Sequence, residues 1–242
     1  MLLWWILYRE PRNHPWISEA ELALIEEGRG EPPPAQRIPY ARLLRDRTAW
    51  AYLIGKFLTD PVWWFFLFWL PGFLHDSYNI DLSSLGLPLV VIYQASMVGS
   101  VGGGWLSSTL LRRGWSVNWA RKTAMLVCAL GVVPLIFIRA TGGHLWPAVA
   151  LISLAAASHQ GFSANIFNLP GDVFPQTAVA SVVGLGGLGG ALGGAIVSPA
   201  IGYWLDFSHG AYMPLFITAG TLYLIALGII HLLAPRLEPS TI

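Results

Sequence analysis

The chain has 242 residues, 55% of them hydrophobic and 11% charged, where soluble domains carry about 25% charged residues, so the composition is that of a membrane protein. Fourteen Lys and Arg against 13 Asp and Glu leave a net charge of +1, which excludes nucleic acid as a partner, since phosphate binding needs a dense basic face. The single cysteine, Cys128, excludes an internal disulfide. No H-E-x-x-H, G-x-S-x-G or cysteine cluster occurs, so neither metal nor cofactor is expected and the chain does not read as an enzyme.

Met1 to Tyr8 is apolar but lacks the basic flank and small-residue cleavage site of a signal peptide. It is also shorter than the roughly 20 residues that cross a bilayer. With Arg9, Pro11 and Arg12 behind it, 1–8 reads as the cytoplasmic end of a truncated transmembrane helix. A cytoplasmic linker over 9–47 follows. Within it Ser18-Glu-Ala-Glu21 is a capping box, Ile17 and Leu22 are spaced as a hydrophobic staple, and Gly28 is a stop, predicting a short surface helix over 18–27. Pro32, Pro33 and Pro34 stiffen the stretch leading to Arg42, Arg45 and Arg47.

Six apolar segments, near 48–73, 85–111, 121–140, 145–169, 178–205 and 212–235, are each long enough to span. They predict an all-α membrane protein with a transmembrane body over 48–236 and a tail over 237–242. Twelve of the 14 basic residues fall before the first span, between the second and third, or at the end. Arg139 lies on the other side and Lys56 within a span, so both termini are expected in the cytoplasm.

The first span holds Lys56 and Asp60, four residues apart on one helical face. An ionised group at mid-membrane costs about 2.5 to 3.5 kcal/mol on insertion scales, so Asp60 is either a ligand contact or proton carrier, or half of a structural ion pair. Lys56 lies near enough to the cytosol to snorkel. Pro61 predicts a kink beside the pair. Trp63, Trp64 and Trp69 line a cavity, or face lipid or serve packing; Trp64, one turn from Asp60, is the best cavity candidate.

In the fourth span, His159 to Asn168 is too polar for lipid. Gln160, Ser163, Ala164 and Phe167 share one face, and Asn165, Asn168 and Asp172 nearly the opposite one; one face serves a cavity and the other interhelical hydrogen bonds. His159 is a proton shuttle or a structural hydrogen-bonding group. Asp60 on one helix and His159 and Gln160 on another fall at similar depth, which points to a shared site if the two helices are neighbours. Ser163 with His159 also permits a hydrolase reading, without an oxyanion motif to accompany it. Gly184 to Gly189 spells G-x-G-x-x-G inside an apolar span, where a nucleotide loop cannot form. Gly186, Gly190 and Gly194, four apart, predict close helix packing instead.

Lys56 to Pro71, Gly99 to Ser107 with Arg112-Arg113-Gly114 and Arg121-Lys122, and His159 to Pro175 together resemble the C-terminal half of a major facilitator superfamily transporter. Within that superfamily the resemblance is to the hexuronate transporters of the anion:cation symporter group. It implies a six-helix C-terminal lobe in the inner (plasma) membrane and uptake of a sugar-acid anion such as glucuronate or galacturonate, coupled to protons. By position it implies substrate contacts at Asp60, Trp64, Gln160, Ser163 and Phe167, and proton coupling at Asp60 or His159. Gly103, Arg112, Arg113, Gly114, Arg121 and Lys122 resemble the family's loop motif. The implied partner is the N-terminal six-helix lobe, without which the chain is expected not to transport. Carriage of another organic or aromatic acid or a drug, or service as a non-transporting assembly partner, are the competing expectations.

Overall fold

The computed structural model describes residues 4, 7–27, 38–81 and 83–240. Two units, Met1–Arg37 and Ile38–Ile242, divide the chain. In the first, helix α1 (Glu19–Glu27) begins as the capping box requires, with Ser18 Oγ accepting from the Glu21 N–H at 3.2 Å. Arg12 Nε meets Glu26 Oε1 at 2.6 Å on its surface. The Gly28 stop, the proline linker and most of 1–8 lie outside the described residues.

The second unit contains α2 (Tyr40–Leu43), α3 (Arg47–Phe68), α4 (Leu70–Tyr78), α5 (Gly86–Arg112) and α6 (Val117–Val132), the last prolonged by a 3-10 segment over Val133–Thr141. After these come α7 (Leu145–Val173), α8 (Gln176–Phe207) and α9 (Met213–Leu233). Every regular element among the described residues is helical. Four helices are long and apolar enough to cross a membrane: α5, α6 with its extension, α8 and α9. The pair α3 and α4, bent by 50°, makes a fifth if it is one span. Helix α7 has 29 residues, but His159 and Gln160 near its centre dilute its apolarity. The chain is therefore a multi-pass membrane protein whose four or five clear spans meet the expected six in part.

Local chemistry explains the boundaries. Asp46 Oδ1 accepts from the N–H groups of Thr48 and Ala49 at 2.7 and 3.1 Å and so starts α3. The kink expected at Pro61 is displaced: α3 continues through Pro61, and the sharp bend falls at Trp69, just before Pro71 opens α4. Pro61 deprives the Phe57 carbonyl of its helical donor. That carbonyl instead faces Gly193 of α8, where a Cβ would collide with it.

Contact between α3 and α8 depends on the glycines. A side chain at Gly186 would strike the Tyr52 ring, one at Gly190 the Asp60 carboxylate, and one at Gly194 the Trp64 indole. Helices α5 and α7 meet as closely, since Cβ atoms at Gly99 and Gly103 would enter the backbone at Ala157 and Gly161. These contacts are the small-residue packing that lets helices associate where lipid offers no hydrophobic drive. Helix α7 carries fourteen buried residues along its length and occupies the centre of the packing.

One end of the unit is tied by its tail. Ser240 donates its N–H to the Val173 carbonyl at 2.7 Å and its hydroxyl to Asp46 Oδ2 at 2.9 Å. The Leu237 N–H reaches Asn118 Oδ1 at 3.2 Å. The start of α3, the start of α6 and the end of α7 therefore lie on one side.

Candidate functional site

Lys56 Nζ lies 2.9 Å from Asp60 Oδ2, in the i,i+4 geometry the spacing predicts. Lys56 is only 4% exposed, so it does not snorkel; its ammonium is held between the Asp60 carboxylate and the Phe167 ring, whose centroid is 3.7 Å away. This contact joins α3 to α7. Asp60 is thirteen residues from Arg47 and Gln160 thirteen from Val173, each about 20 Å from the end that Ser240 ties together. The equal depth read from the sequence holds, and α3 and α7 are neighbours.

The two faces of α7 have separate surroundings. Gln160 and Ser163 are half-buried, Phe167 is exposed, and neither polar side chain forms a hydrogen bond among the described residues. On the other face Asn165 is fully buried and donates from Nδ2 to the carbonyls of Gly103 and Gly161, both at 2.9 Å. Asn168, placed with Asn165 by periodicity, is exposed and turns back to its own helix at the Ala164 carbonyl. Asp172 completes that row at the tied end, where Arg121 grips it.

His159 lies apart from Gln160, 3% exposed and stacked on Trp63 with ring planes 4° apart. Its Nδ1 is hydrogen-bonded to the Tyr223 hydroxyl. That hydroxyl also donates to the Thr59 carbonyl at 3.3 Å, linking α3, α7 and α9. Trp64 sits on the α8 side of α3, over Gly194 and stacked on Phe68 at 5.7 Å. The structure thus brings Lys56, Asp60 and Phe167 into one cluster and sets Gln160 and Ser163 on the same face of α7 as Phe167. His159 it puts in a separate buried cluster. Trp69, the third tryptophan considered, has a buried Nε1 without a partner among the described residues.

Sequence reasoning missed two contributors. Tyr223 serves both His159 and α3 but stands alone in an apolar helix, with no spacing to announce its partners. Tyr52 precedes Lys56 by four residues and was legible as the next member of the Lys56–Asp60 stripe. Its hydroxyl is buried and has no partner among the described residues.

The loop-motif residues gather at the tied end. Arg121 makes a two-pronged bond to Asp172, Nε to Oδ2 at 2.7 Å and Nη2 to Oδ1 at 3.2 Å, and donates through Nη1 to Ser107 at 2.9 Å. Lys122 Nζ caps the end of α9 at the carbonyls of Ala234 and Pro235, 2.6 and 2.8 Å away. Gly114, at φ +85°, turns the chain between α5 and α6. Arg112 reaches Thr109 at 3.2 Å, and Arg113 is exposed. Gly103 is at the α5–α7 contact.

Comparison with known proteins identifies the family. The chain is 29% identical over 212 residues to a D-galactonate transporter of Escherichia coli O6:H1, covering 84% of this chain and 49% of that protein. It is 27% identical over 210 residues to the hexuronate transporter of Escherichia coli K12, covering 85% and 48%. To the chloroplastic ascorbate transporter of Arabidopsis thaliana it is 28% identical over 230 residues, covering 92% and 42%. The chain spans about half the length of the curated relatives it matches. A model of the Major Facilitator Superfamily matches residues 1–198, and with bare-backbone helix contacts, a charged cluster at mid-span depth and relatives that are transporters and not enzymes, the chain belongs to that superfamily.

Proposed function

We propose that the chain carries one lobe of a transporter for a sugar-acid anion, with the bent pair α3 and α4 as one span and α7 as another beside the four that length and apolarity identify among the described residues. One observation carries the reading: Lys56, Asp60 and Phe167 meet at mid-span depth on two helices, and Phe167 shares its face of α7 with Gln160 and Ser163, whose polar groups have no partner among the described residues. Relatives named for galactonate and hexuronate support the anion class. In this reading Gln160 and Ser163 bond the sugar hydroxyls, Trp64 and Phe167 face its apolar ring edges, and Asp60 takes the coupling proton. Asp60 is preferred to His159 because His159 is enclosed by Trp63 and Tyr223.

In this reading the tied end and both termini are cytoplasmic, which the excess of basic residues at that end supports, and the membrane is the plasma membrane or, where there are two, the inner one. Alternating access in this fold needs two six-helix lobes around a site at the midplane. A second lobe therefore completes the cavity, and these residues alone do not transport. Uptake of radiolabelled D-glucuronate and D-galactonate by cells expressing the chain with and without a complementary lobe tests this. Uptake only with both lobes is expected; uptake by the chain alone, or by neither arrangement, refutes it.

A further inference from the structure

We infer that Lys56 is the receptor for the substrate carboxylate, and that Asp60 is a built-in competitor which yields Lys56 when it accepts a proton. The inference rests on the function proposed above and names the coupling device of that same site. Lys56 is withdrawn from water and, among the described residues, its only anionic partner is Asp60, at 2.9 Å. On the remaining side it meets a neutral ring, Phe167, which is itself exposed. The buried cation is thus one movable side chain away from the open face of α7.

Counting charge gives the coupling. With no substrate, Lys56 and Asp60 sum to zero. An anion arriving alone leaves the site at minus one, and a proton arriving alone leaves it at plus one. Both states put a net charge at mid-membrane, where an uncompensated ion costs far more than a paired one. Anion and proton together restore zero: the carboxylate of Asp60 becomes a carboxylic acid, and the Lys56 ion pair passes to the substrate carboxylate. No covalent bond changes other than the new O–H on Asp60.

The neighbours leave this exchange to the pair. Tyr52 lies one turn before Lys56 on α3, Tyr223 on α9 reaches the Thr59 carbonyl beside Asp60, and His159 on α7 lies against Tyr223. Tyr223 and His159 are bonded to each other. Helix α8 presents glycine, with Gly190 directly against the Asp60 carboxylate. Asp172 and His231 are engaged at the tied end by Arg121 and Lys122, and Asp206 is at the far end of α8.

The test uses the purified chain reconstituted together with the complementary lobe in lipid nanodiscs, with D-glucuronate, D-galactonate and the uncharged methyl ester of D-glucuronate as probes. Tryptophan fluorescence reads affinity, and a pH indicator in weak buffer reads proton uptake. The wild type is expected to take up about one proton per anion bound. Asp60→Asn removes that uptake and makes anion affinity independent of pH. The double variant Lys56→Gln, Asp60→Asn loses both ends of the buried pair together, a change that folded proteins tolerate. It is expected to bind the acids about tenfold or more weakly than Asp60→Asn does, while the methyl ester binds to both alike. Undiminished proton uptake in Asp60→Asn, or equal acid affinity in the double variant, overturns the inference and leaves the transport reading standing. If the wild type binds neither anion, the transport reading fails and the inference falls with it.

Discussion

Replacing Gly103 by alanine tests the packing that holds the site helices together. The new methyl would enter the Gly161 backbone, an obstruction that no side-chain rotation relieves. Overpacking of this kind costs about 1 to 3 kcal/mol. The Asn165 bond to the Gly103 carbonyl, 2.9 Å long, would stretch as the helices part and forfeit about 1 kcal/mol more. Alanine recovers about 0.5 to 1 kcal/mol of helix propensity, so the net loss is about 2 kcal/mol. For a domain of this size that corresponds to a melting point about 4 to 8 °C lower. The protein supplies its own probe: Cys128 is the sole cysteine and is buried, so a thiol-reactive fluorophore reports unfolding during a thermal ramp. Gly102→Ala is the control, because its methyl would meet nothing within 4 Å. If Gly103→Ala melts with Gly102→Ala, the close approach of α5 and α7 is not what stabilises the bundle.

Three further outcomes follow from the same geometry. A double-mutant cycle of Arg121→Ala and Asp172→Asn, read by the Cys128 melt, is expected to give a coupling of about 2 kcal/mol; additive losses would mean the two-pronged bond is idle. Tyr223→Phe strips the hydroxyl from both His159 and the Thr59 carbonyl and should destabilise by about 1 to 3 kcal/mol, so an unchanged melting point would contradict the network. Lys122→Met removes the ammonium from the Ala234 and Pro235 carbonyls. Backbone hydrogen exchange over 234–240 should then accelerate while α5 and α7 are unaffected, and a tail that stays protected would show that Lys122 does not hold it.

Helix positions were legible because a span is a statement about length and apolarity, and both are written along the chain. Within the second unit, boundaries at Arg47, Gly86 and Leu145 fall within a residue or so of those expected. Asp60 and Lys56 were legible for a related reason: four residues is one turn, so their meeting is a local fact. What the sequence could not express is which helices touch. Nothing in 213–233 says that Tyr223 meets His159, sixty-four residues away, and the Lys56–Phe167 contact bridges a gap larger still. The bend also moved: α3 runs on through Pro61, whereas Pro71 stands at a helix start where a proline fits without loss. The glycines of α8 announced close approach but not its target, which is the row Tyr52, Asp60 and Trp64 on α3.

That row gives α8 a mechanical character distinct from its neighbours. Helices that mesh ridge into groove must climb over one another's side chains to shift along their axes. A helix lying on its neighbour through naked backbone has no such teeth, and it travels as on a rail. An axial slip of α8 by a fraction of a turn would take Gly190 off the Asp60 carboxylate and bring toward it only the next glycines of the same face, Gly186 or Gly194, so the cover over that oxygen could loosen without moving α3 at all.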